Sequence, residues 1–579
     1  MKIKMTDSFF RKHVQFSICL ISIFFSFSLF SQESLKSTEE EYYDFLSLTG
    51  IVDRPTLGYR TLSDSVWIFN HIESFEENED GTFTKVRIPG QESSGNIWKN
   101  NNLGSWKTLW QPENISSNFF MRGLKQGLFL KIYGPEWFNS YNSAAPYGQN
   151  DGALWQGKGY NTALTGGLRL EGYGFELTFK PQLSFSQNLE FEYLPGVCGS
   201  EYSYFTQNGG SIDLVQRYGN TSFWNYDWGD SELRWTWNTF TIGFGSQNPW
   251  LGPAWLNPML GSNNAAGYPK FDIGLRKTQV IIPGLDWNLG YIEGRLWVGK
   301  LSQSDYFNIP SYPFDTMITA MSASYSPSFI PRLSVGLNRI FLTRWNKNNL
   351  KYSLRLFTAS KANDVYGDGE DQKISIFADW YFPNAGFEIY IEYGLDDFST
   401  YPLQNFFHTG IYTVGIKQKL PHNGELIVEL NNFEMSQDFQ LQWPYGGYYT
   451  HGKILTGYTN KGQSLGAGTG LFGNSQYFGY TIHYPKGNST FFIHRFCPNN
   501  NYVYNMAVTT NASKPSSIWE IYWANFEAYI SFGTDSTFYI SKDFSIDLGI
   551  SIIHIANNMY NRGIRTNSIS FTFNTKYNF

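Results

Sequence analysis

The chain has 579 residues, a formal net charge of −6, 16% charged and 18% aromatic residues, and 55 glycines, whereas an average soluble domain is about a quarter charged. The weak acidity, with no basic stripe or block, excludes a nucleic-acid partner. After the first thirty residues no apolar run reaches the ~18 residues of a helical span, so helical membrane crossing is excluded there, while a membrane β-barrel accounts for low charge, spread-out hydrophobicity and many aromatics.

At the N-terminus Lys2, Lys4, Arg11 and Lys12 precede an apolar run at 14–30, and Ser31 offers a cleavage point before Gln32. Residues 1–31 read as a secretory signal peptide. Cys19 would leave with it, and Cys198 and Cys497 could pair in an oxidising compartment or be unrelated. The mature chain opens on the capping box Ser37-Thr-Glu-Glu40, with Tyr42, Phe45, Leu46 and Thr49 on one face and a stop at Gly50. From Leu57 to about Gln126 the pattern is irregular, and 32–126 is expected to be a partly helical N-terminal periplasmic segment.

From residue 127 a period of two takes over. Phe175, Leu177, Phe179, Leu183 and Phe185 alternate with Glu176, Thr178, Lys180, Gln182 and Ser184, and Pro181 announces a bulge or an edge-like irregularity. Ile374, Ile376, Ala378, Trp380 and Phe382 form another row, resumed beyond Pro383-Asn-Ala-Gly386 by Phe387, Ile389, Ile391 and Tyr393. Similar short turns stand at Pro421-His-Asn-Gly424 and Pro485-Lys-Gly-Asn488, with related ones at 283–286 and 541–543. Long polar loops separate them, about 396–407, 432–476 and 497–517, with 343–372 a further one; 352–358 alternates like a strand but is assigned to that loop, because a span there would reverse every later turn. The chain ends on Ile569, Phe571, Phe573, Thr575, Tyr577 and Phe579, alternating with Ser570, Thr572, Asn574, Lys576 and Asn578. Such a strand closes an outer-membrane barrel, whose short turns face the periplasm. The expected architecture is all-β, a transmembrane antiparallel barrel of about 18 strands over 127–579.

Two catalytic patterns occur, neither in its required context. Gly462-Gln-Ser464-Leu-Gly466 matches a nucleophile elbow but lies in a Gly-rich loop, and Gly468-Thr-Gly470-Leu-Phe-Gly473 lacks the βαβ unit of a dinucleotide site. No catalytic residue, cofactor or zinc site is expected, since the eight His include no pair at ligand spacing. Asp396-Asp397 could bind a cation or sugar hydroxyls, or be a solvated outer loop. The densest unusual stretch, 224–270, holds Trp224, Trp228, Trp235, Trp237, Trp250 and Trp255. Aromatic faces stack on sugar rings, and Asn, Gln and Asp serve hydroxyls. Trp235 and Trp237 read as interfacial girdle, while Trp250 and Trp255, among Gly, Pro and Asn, fit a loop or lumen site as well as a structural role.

Trp250-Leu-Gly252-Pro253 with Ser262-Asn263-Asn264-Ala265 and Pro269 resembles the signature of the Wzi family of outer-membrane capsule-assembly proteins. So do Asn150-Asp151-Gly152 with Trp155 and Gly157-Lys158-Gly159, and Tyr449-Thr-His451-Gly452 with Gly457-Tyr458-Thr459 and Gly462. The resemblance runs from about residue 57 to the end and implies an 18-stranded barrel, a helical periplasmic segment and a lectin-like role toward capsular or exopolysaccharide. The candidate glycan contacts are Asp151, Trp250, Trp255, Asn263, Asn264, His451 and Tyr458. A porin-like channel for oligosaccharides is the alternative, and a hydrolase using Ser464 a more distant one. The expected partners are surface polysaccharide, outer-membrane lipid, and the export and barrel-insertion machinery of a Gram-negative cell.

Overall fold

A computed structural model describes residues 37–77, 83–205, 211–357, 369–396, 409–435, 447–511, 520–521 and 523–579; the expected signal peptide lies outside them. The period-two rows pair into one antiparallel sheet of 21 segments. Two strands are each interrupted once, Phe175–Phe179 from Gln182–Ser186 and Phe223–Asp227 from Glu232–Trp237, and Trp106–Trp110 is a short addition, which leaves a closed barrel of 18 full strands. Pro181 has no N–H for the ladder, and the facing strand carries an extra residue between Asp227 and Glu232, so the expected irregularity is a bulge. The last strand, Arg565–Tyr577, closes on the first, Leu128–Asn142, from Ser570 opposite Asn142 to Lys576 opposite Glu136. Below that, Leu128 to Lys131 pair with Trp106–Trp110, so one strand upstream of residue 127 also joins the sheet.

The wall is inside out relative to a soluble protein. On the last strand Ile569, Phe571 and Tyr577 are exposed while Ser568, Ser570 and Lys576 are buried, and on Phe175–Phe179 the phenylalanines and Leu177 face out while Glu176 and Thr178 face in. The turns at 283–286, 383–386, 421–424, 485–488 and 541–543 each join two adjacent strands, and all lie at the end where the chain terminates. Of the stretch that alternates near 352–358, the described residues 352–357 belong to a 3₁₀ helix, Lys347–Phe357, within a long excursion. Asp396 accepts from Lys373 Nζ at 2.8 Å, while Asp397 lies outside the described residues.

The lumen is filled from both ends. Helix α1, Thr38–Ser47, is capped by Ser37, whose Oγ accepts from the Glu40 N–H at 3.3 Å, and buries Tyr42, Phe45 and Leu46. It docks at the short-turn end, where Trp98 Nε1 donates to Tyr484 O at 2.8 Å and Lys576 reaches Glu39 at 2.8 Å. Beyond α1 the chain enters the barrel. Arg54 pairs with Glu388 at 2.6 Å and Asp379 at 2.9 Å, Glu293 accepts the N–H groups of Leu57, Gly58 and Tyr59, and Asp64 meets Arg276 and Arg295. From the opposite end, 246–269 and 447–472 fold inward: Trp250–Leu251 pairs with Tyr59–Arg60, and Leu251, Met259, Tyr268, Tyr449, Tyr458 and Leu471 form one apolar core with Tyr59. Planar-bilayer recordings of the purified barrel are expected to show no porin-sized current steps; stable large steps would contradict a filled lumen.

Between α1 and the first strand the chain is richer in strand than its irregular pattern suggests, with a hairpin of His71–Glu77 and Phe83–Pro89. A short helix, Phe119–Arg122, then lies outside the wall. Phe119 and Phe120 are exposed, Phe120 stacks on Trp235 and Trp237 at 6.4 Å each, and Trp237 Nε1 donates to Phe120 O at 2.9 Å. These aromatics form a rim on the apolar outer face at the short-turn end, where a girdle belongs.

Candidate functional site: an outward-facing groove

At the long-excursion end, two cavities lie between the inward-folded plug and the wall. The outer one, of about 940 Å³, is walled by Phe191, Tyr193, Phe205 and Tyr560 together with Glu190, Glu192, Gln216 and Glu527. The deeper one, of about 480 Å³, is walled by Trp155, Trp255, Tyr477 and Phe492 together with Asn150, Asp151, Gln156 and Gln463. Both share Pro146, Leu214, Val215, Pro498 and Tyr529, so they form one continuous groove. Each volume falls in the range of small-molecule sites, about 300–1,000 Å³, and the groove combines apolar rings with convergent amides and carboxyls.

The groove is built by packing between excursions. Tyr529, the second residue of Ala528–Tyr539, stacks on Phe496 at 4.8 Å with rings 8° apart, which fixes the orientation of its ring. Gln216 ties two stretches of one excursion by donating to Leu194 O at 2.9 Å and to Ser203 O at 2.5 Å. Glu527 accepts from the Met559 N–H at 2.8 Å, which fixes the outermost turn over the outer cavity.

The structure brings together three of the residues singled out from sequence. Asp151, Trp255 and Asn264 all line the deeper cavity. Trp255 is anchored through its N–H on Glu429 at 2.7 Å, and its ring lies 4.9 Å from Tyr477. Asn264 spends its amide on the plug, accepting from Asn150 N at 2.7 Å and donating to Gly466 O at 2.8 Å.

The other four stand apart from this groove. Trp250 is 3% exposed, donates to Ala254 O at 2.9 Å, and faces a small inner cavity of about 80 Å³ beside α1. Tyr458 is 2% exposed, donates to Leu260 O at 2.5 Å and stacks on Tyr449. Asn263 is buried, accepts from Gly152 N at 2.6 Å through its carbonyl, and lines a different cavity of about 30 Å³. His451 Nδ1 accepts from the N–H groups of Lys453 and Ile454 at 3.2 Å each, which closes a turn.

Sequence reasoning missed Tyr193, Gln216, Glu527, Tyr529 and Tyr560. No motif joins them, and the one local signal is the placing of aromatics next to acids or amides at strand mouths, as in Phe526-Glu527-Ala-Tyr529.

Ser464 also lines the deeper cavity, but its segment is a small hairpin of Thr459–Asn460 with Gln463–Ser464, and its Oγ accepts from Gly466 N at 3.3 Å. A nucleophile elbow instead needs a strand-to-helix turn. Cys198 and Cys497 are both buried and free, so no disulfide joins them.

Two groove carboxyls carry the electrostatics. Burial pushes Asp151 up to about 7 against a lowering hydrogen bond to Gln156, and burial pushes Glu527 up to about 7 against the Met559 N–H. Such a group keeps in the folded state a proton that the unfolded chain releases near pH ~4, so its contribution is fully favourable below that and is lost as pH rises toward about 7. Heat unfolding across this window should therefore show stability falling with pH, and Asp151→Asn combined with Glu527→Gln should flatten part of the slope. An unchanged slope would contradict the assignment.

A closed 18-strand barrel with an apolar outer face, short turns at one end and a filled lumen defines an outer-membrane β-barrel of a Gram-negative bacterium. Residues 216–502 match the family described as capsule assembly protein Wzi, in agreement with the motif resemblance. Among solved structures, Escherichia coli Wzi, described as an outer-membrane protein involved in group 1 capsule assembly and as a carbohydrate-binding β-barrel, has a TM-score of 0.51 at 11% identity over 77% of this chain and 85% of its own. That likeness is one of fold. OprD of Pseudomonas aeruginosa scores 0.36 at 8% identity, covering 81% of this chain and 97% of its own, and OccAB4 of Acinetobacter baumannii scores 0.37 at 8% identity, covering 78% and 98%. No match is found among curated protein sequences.

Proposed function

We propose that this barrel binds a surface polysaccharide, capsular or exopolysaccharide, in the outer groove and helps attach or assemble it at the cell surface, without catalysing a reaction. The observation that carries this reading is the continuous groove of about 940 and 480 Å³, lined by aromatic rings, amides and carboxyls and opening where the long excursions gather. Rings such as Tyr193, Tyr529 and Trp255 offer flat apolar faces to sugar rings, while Asn150 Oδ1 and Gln156 Oε1, which have no hydrogen-bond partner among the described residues, offer acceptors to hydroxyls. Two cavities end to end suit several consecutive sugars of a chain. The Wzi family match and the carbohydrate-binding description of the Escherichia coli protein support the same reading. The filled lumen argues against the channel alternative, because 52–64, 246–269 and 447–472 occupy the path a solute would take.

Of the residues proposed from sequence, Asp151 and Trp255 remain direct contacts in this reading, since both line the groove. Asn264, Asn263, Trp250, Tyr458 and His451 act by shaping the plug beneath it. The test is retention of the purified surface polysaccharide of the producing strain on the immobilised, detergent-solubilised protein. Retention supports the reading, and passage of the polymer at the void volume opposes it.

A further inference from the structure

We infer that the groove selects glycans bearing free amino groups and discriminates against acidic polymers. This rests on the polysaccharide reading and names the class of polymer. Glu190 and Glu192 stand exposed at the mouth of the outer cavity, Glu527 lines its floor at 5% exposed, and Asp151 and Asp535 line the deeper part. The matching cations are few. Among the described residues Lys158 is the one Lys or Arg in either lining, and its Nζ donates to Glu190 O at 2.8 Å. Arg217 lies 5.9 Å from the Phe191 ring and donates to Asn188 O; Arg562, on the turn before the last strand, and Arg565, at the start of that strand, are exposed and line neither cavity.

Buried polar atoms point the same way. Asn150 Oδ1, Gln156 Oε1 and the Tyr560 hydroxyl have no hydrogen-bond partner among the described residues, and their side chains are 7%, 8% and 3% exposed in the groove walls. The two amide oxygens can only accept. Glu527 meets a backbone N–H but no ammonium or guanidinium among the described residues. Unused acceptors beside carboxyls without a countercharge match an ammonium, which brings three donors to one point and a positive charge that draws Glu527 and Asp151 into their ionised form. A uronate or other acidic sugar brings acceptors and negative charge into the same surroundings, and both are mismatched.

The test uses the full chain in detergent with three oligosaccharide probes of equal length: glucosamine oligomers, their N-acetylated counterparts and oligogalacturonates. The purified surface polysaccharide runs in parallel. The expected result is that glucosamine oligomers bind about tenfold or more tightly than N-acetylated ones. That gap should close at high salt, and oligogalacturonates should not be retained. Glu190→Gln with Glu192→Gln, both exposed and remote from the packing, should shrink the gap, and adding Glu527→Gln should remove it. Equal affinity for the amine and N-acetyl probes, retention of oligogalacturonate, or retention of no oligomer overturns the inference. Retention of a native polymer that proves acidic overturns it while leaving the polysaccharide reading intact; failure to retain the native polymer overturns both.

Discussion

Asp64→Ala is expected to lower the unfolding stability of the barrel by about 3–5 kcal/mol, the cost of stripping one partner from a buried ion pair. Asp64 is 5% exposed and lies where the N-terminal segment runs through the lumen, with its carboxylate meeting Arg276 Nε at 2.8 Å and Arg295 at 3.1 Å. Both arginines belong to a larger buried array. Arg276 also pairs with Glu176 at 2.8 Å, Arg295 with Asp272 at 2.7 Å, and Asp272 with Arg234 at 2.7 Å. Burial alone would raise the Asp64 carboxyl, yet Arg295 and Arg276 override it and hold it well below the usual carboxylate range. Its stabilisation is therefore present above about pH 4 and lost as pH falls below that value. Removing Asp64 leaves two guanidiniums side by side on adjacent strands without their shared carboxylate and unties the N-terminal segment from the wall. Urea unfolding of the barrel in lipid vesicles reads the loss directly. A change below about 1 kcal/mol, the range of exposed pairs, would mean that the array does not anchor the segment.

Tyr529→Ala is expected to weaken polysaccharide retention about tenfold or more, or about 1.4 kcal/mol. Tyr529 is one of the residues common to both cavities, so in the proposed binding mode its ring is the platform between them. Its stacking on Phe496 fixes that platform before any ligand arrives, which lowers the ordering cost of binding. Tyr529→Phe keeps the ring and should retain most of the affinity. Phe532→Ala removes a ring from the same strand on the outer face, where it is 54% exposed, and should leave retention unchanged. Equal losses for Tyr529→Ala and Phe532→Ala would show a general defect of the strand, with no binding role for the groove.

The barrel was legible because its wall repeats one simple rule. A side chain on a strand faces lipid or lumen according to the parity of its position, so Ile389 and Ile391 against Glu388 and Glu392 already divide into outward and inward rows in the sequence. The turns were legible for a related reason: Pro, Asn and Gly at 383–386 interrupt that parity where a tight reversal demands it. The Trp106–Trp110 strand was not, since five residues are too short a window for parity and its place is set by pairing with Leu128 to Lys131.

The site was legible only in part, because the same chemistry serves two purposes in a filled barrel. Trp250 and Tyr458 sit among Gly, Pro and Asn as a sugar-binding ring would, but a lumen plug needs those residue types as well: aromatics to fill the volume and amides to satisfy irregular backbone. Composition cannot separate the two, and burial does. Asp151 and Trp255 come from the same kind of stretch and reach the groove because their segments lie at the edge of the plug. Tyr193, Glu527 and Tyr560 come from separate excursions, so only closure of the barrel makes them neighbours.

The role proposed for this barrel is to hold polysaccharide at the cell surface. Its most direct test is the ratio of cell-bound to released polysaccharide in a strain lacking the protein, compared with the parent and with the deletion complemented by the wild-type chain. Total polymer is expected to stay near the parental amount while its cell-bound share falls and the released share rises, with complementation restoring attachment. An unchanged cell-bound share in the deletion strain would contradict it.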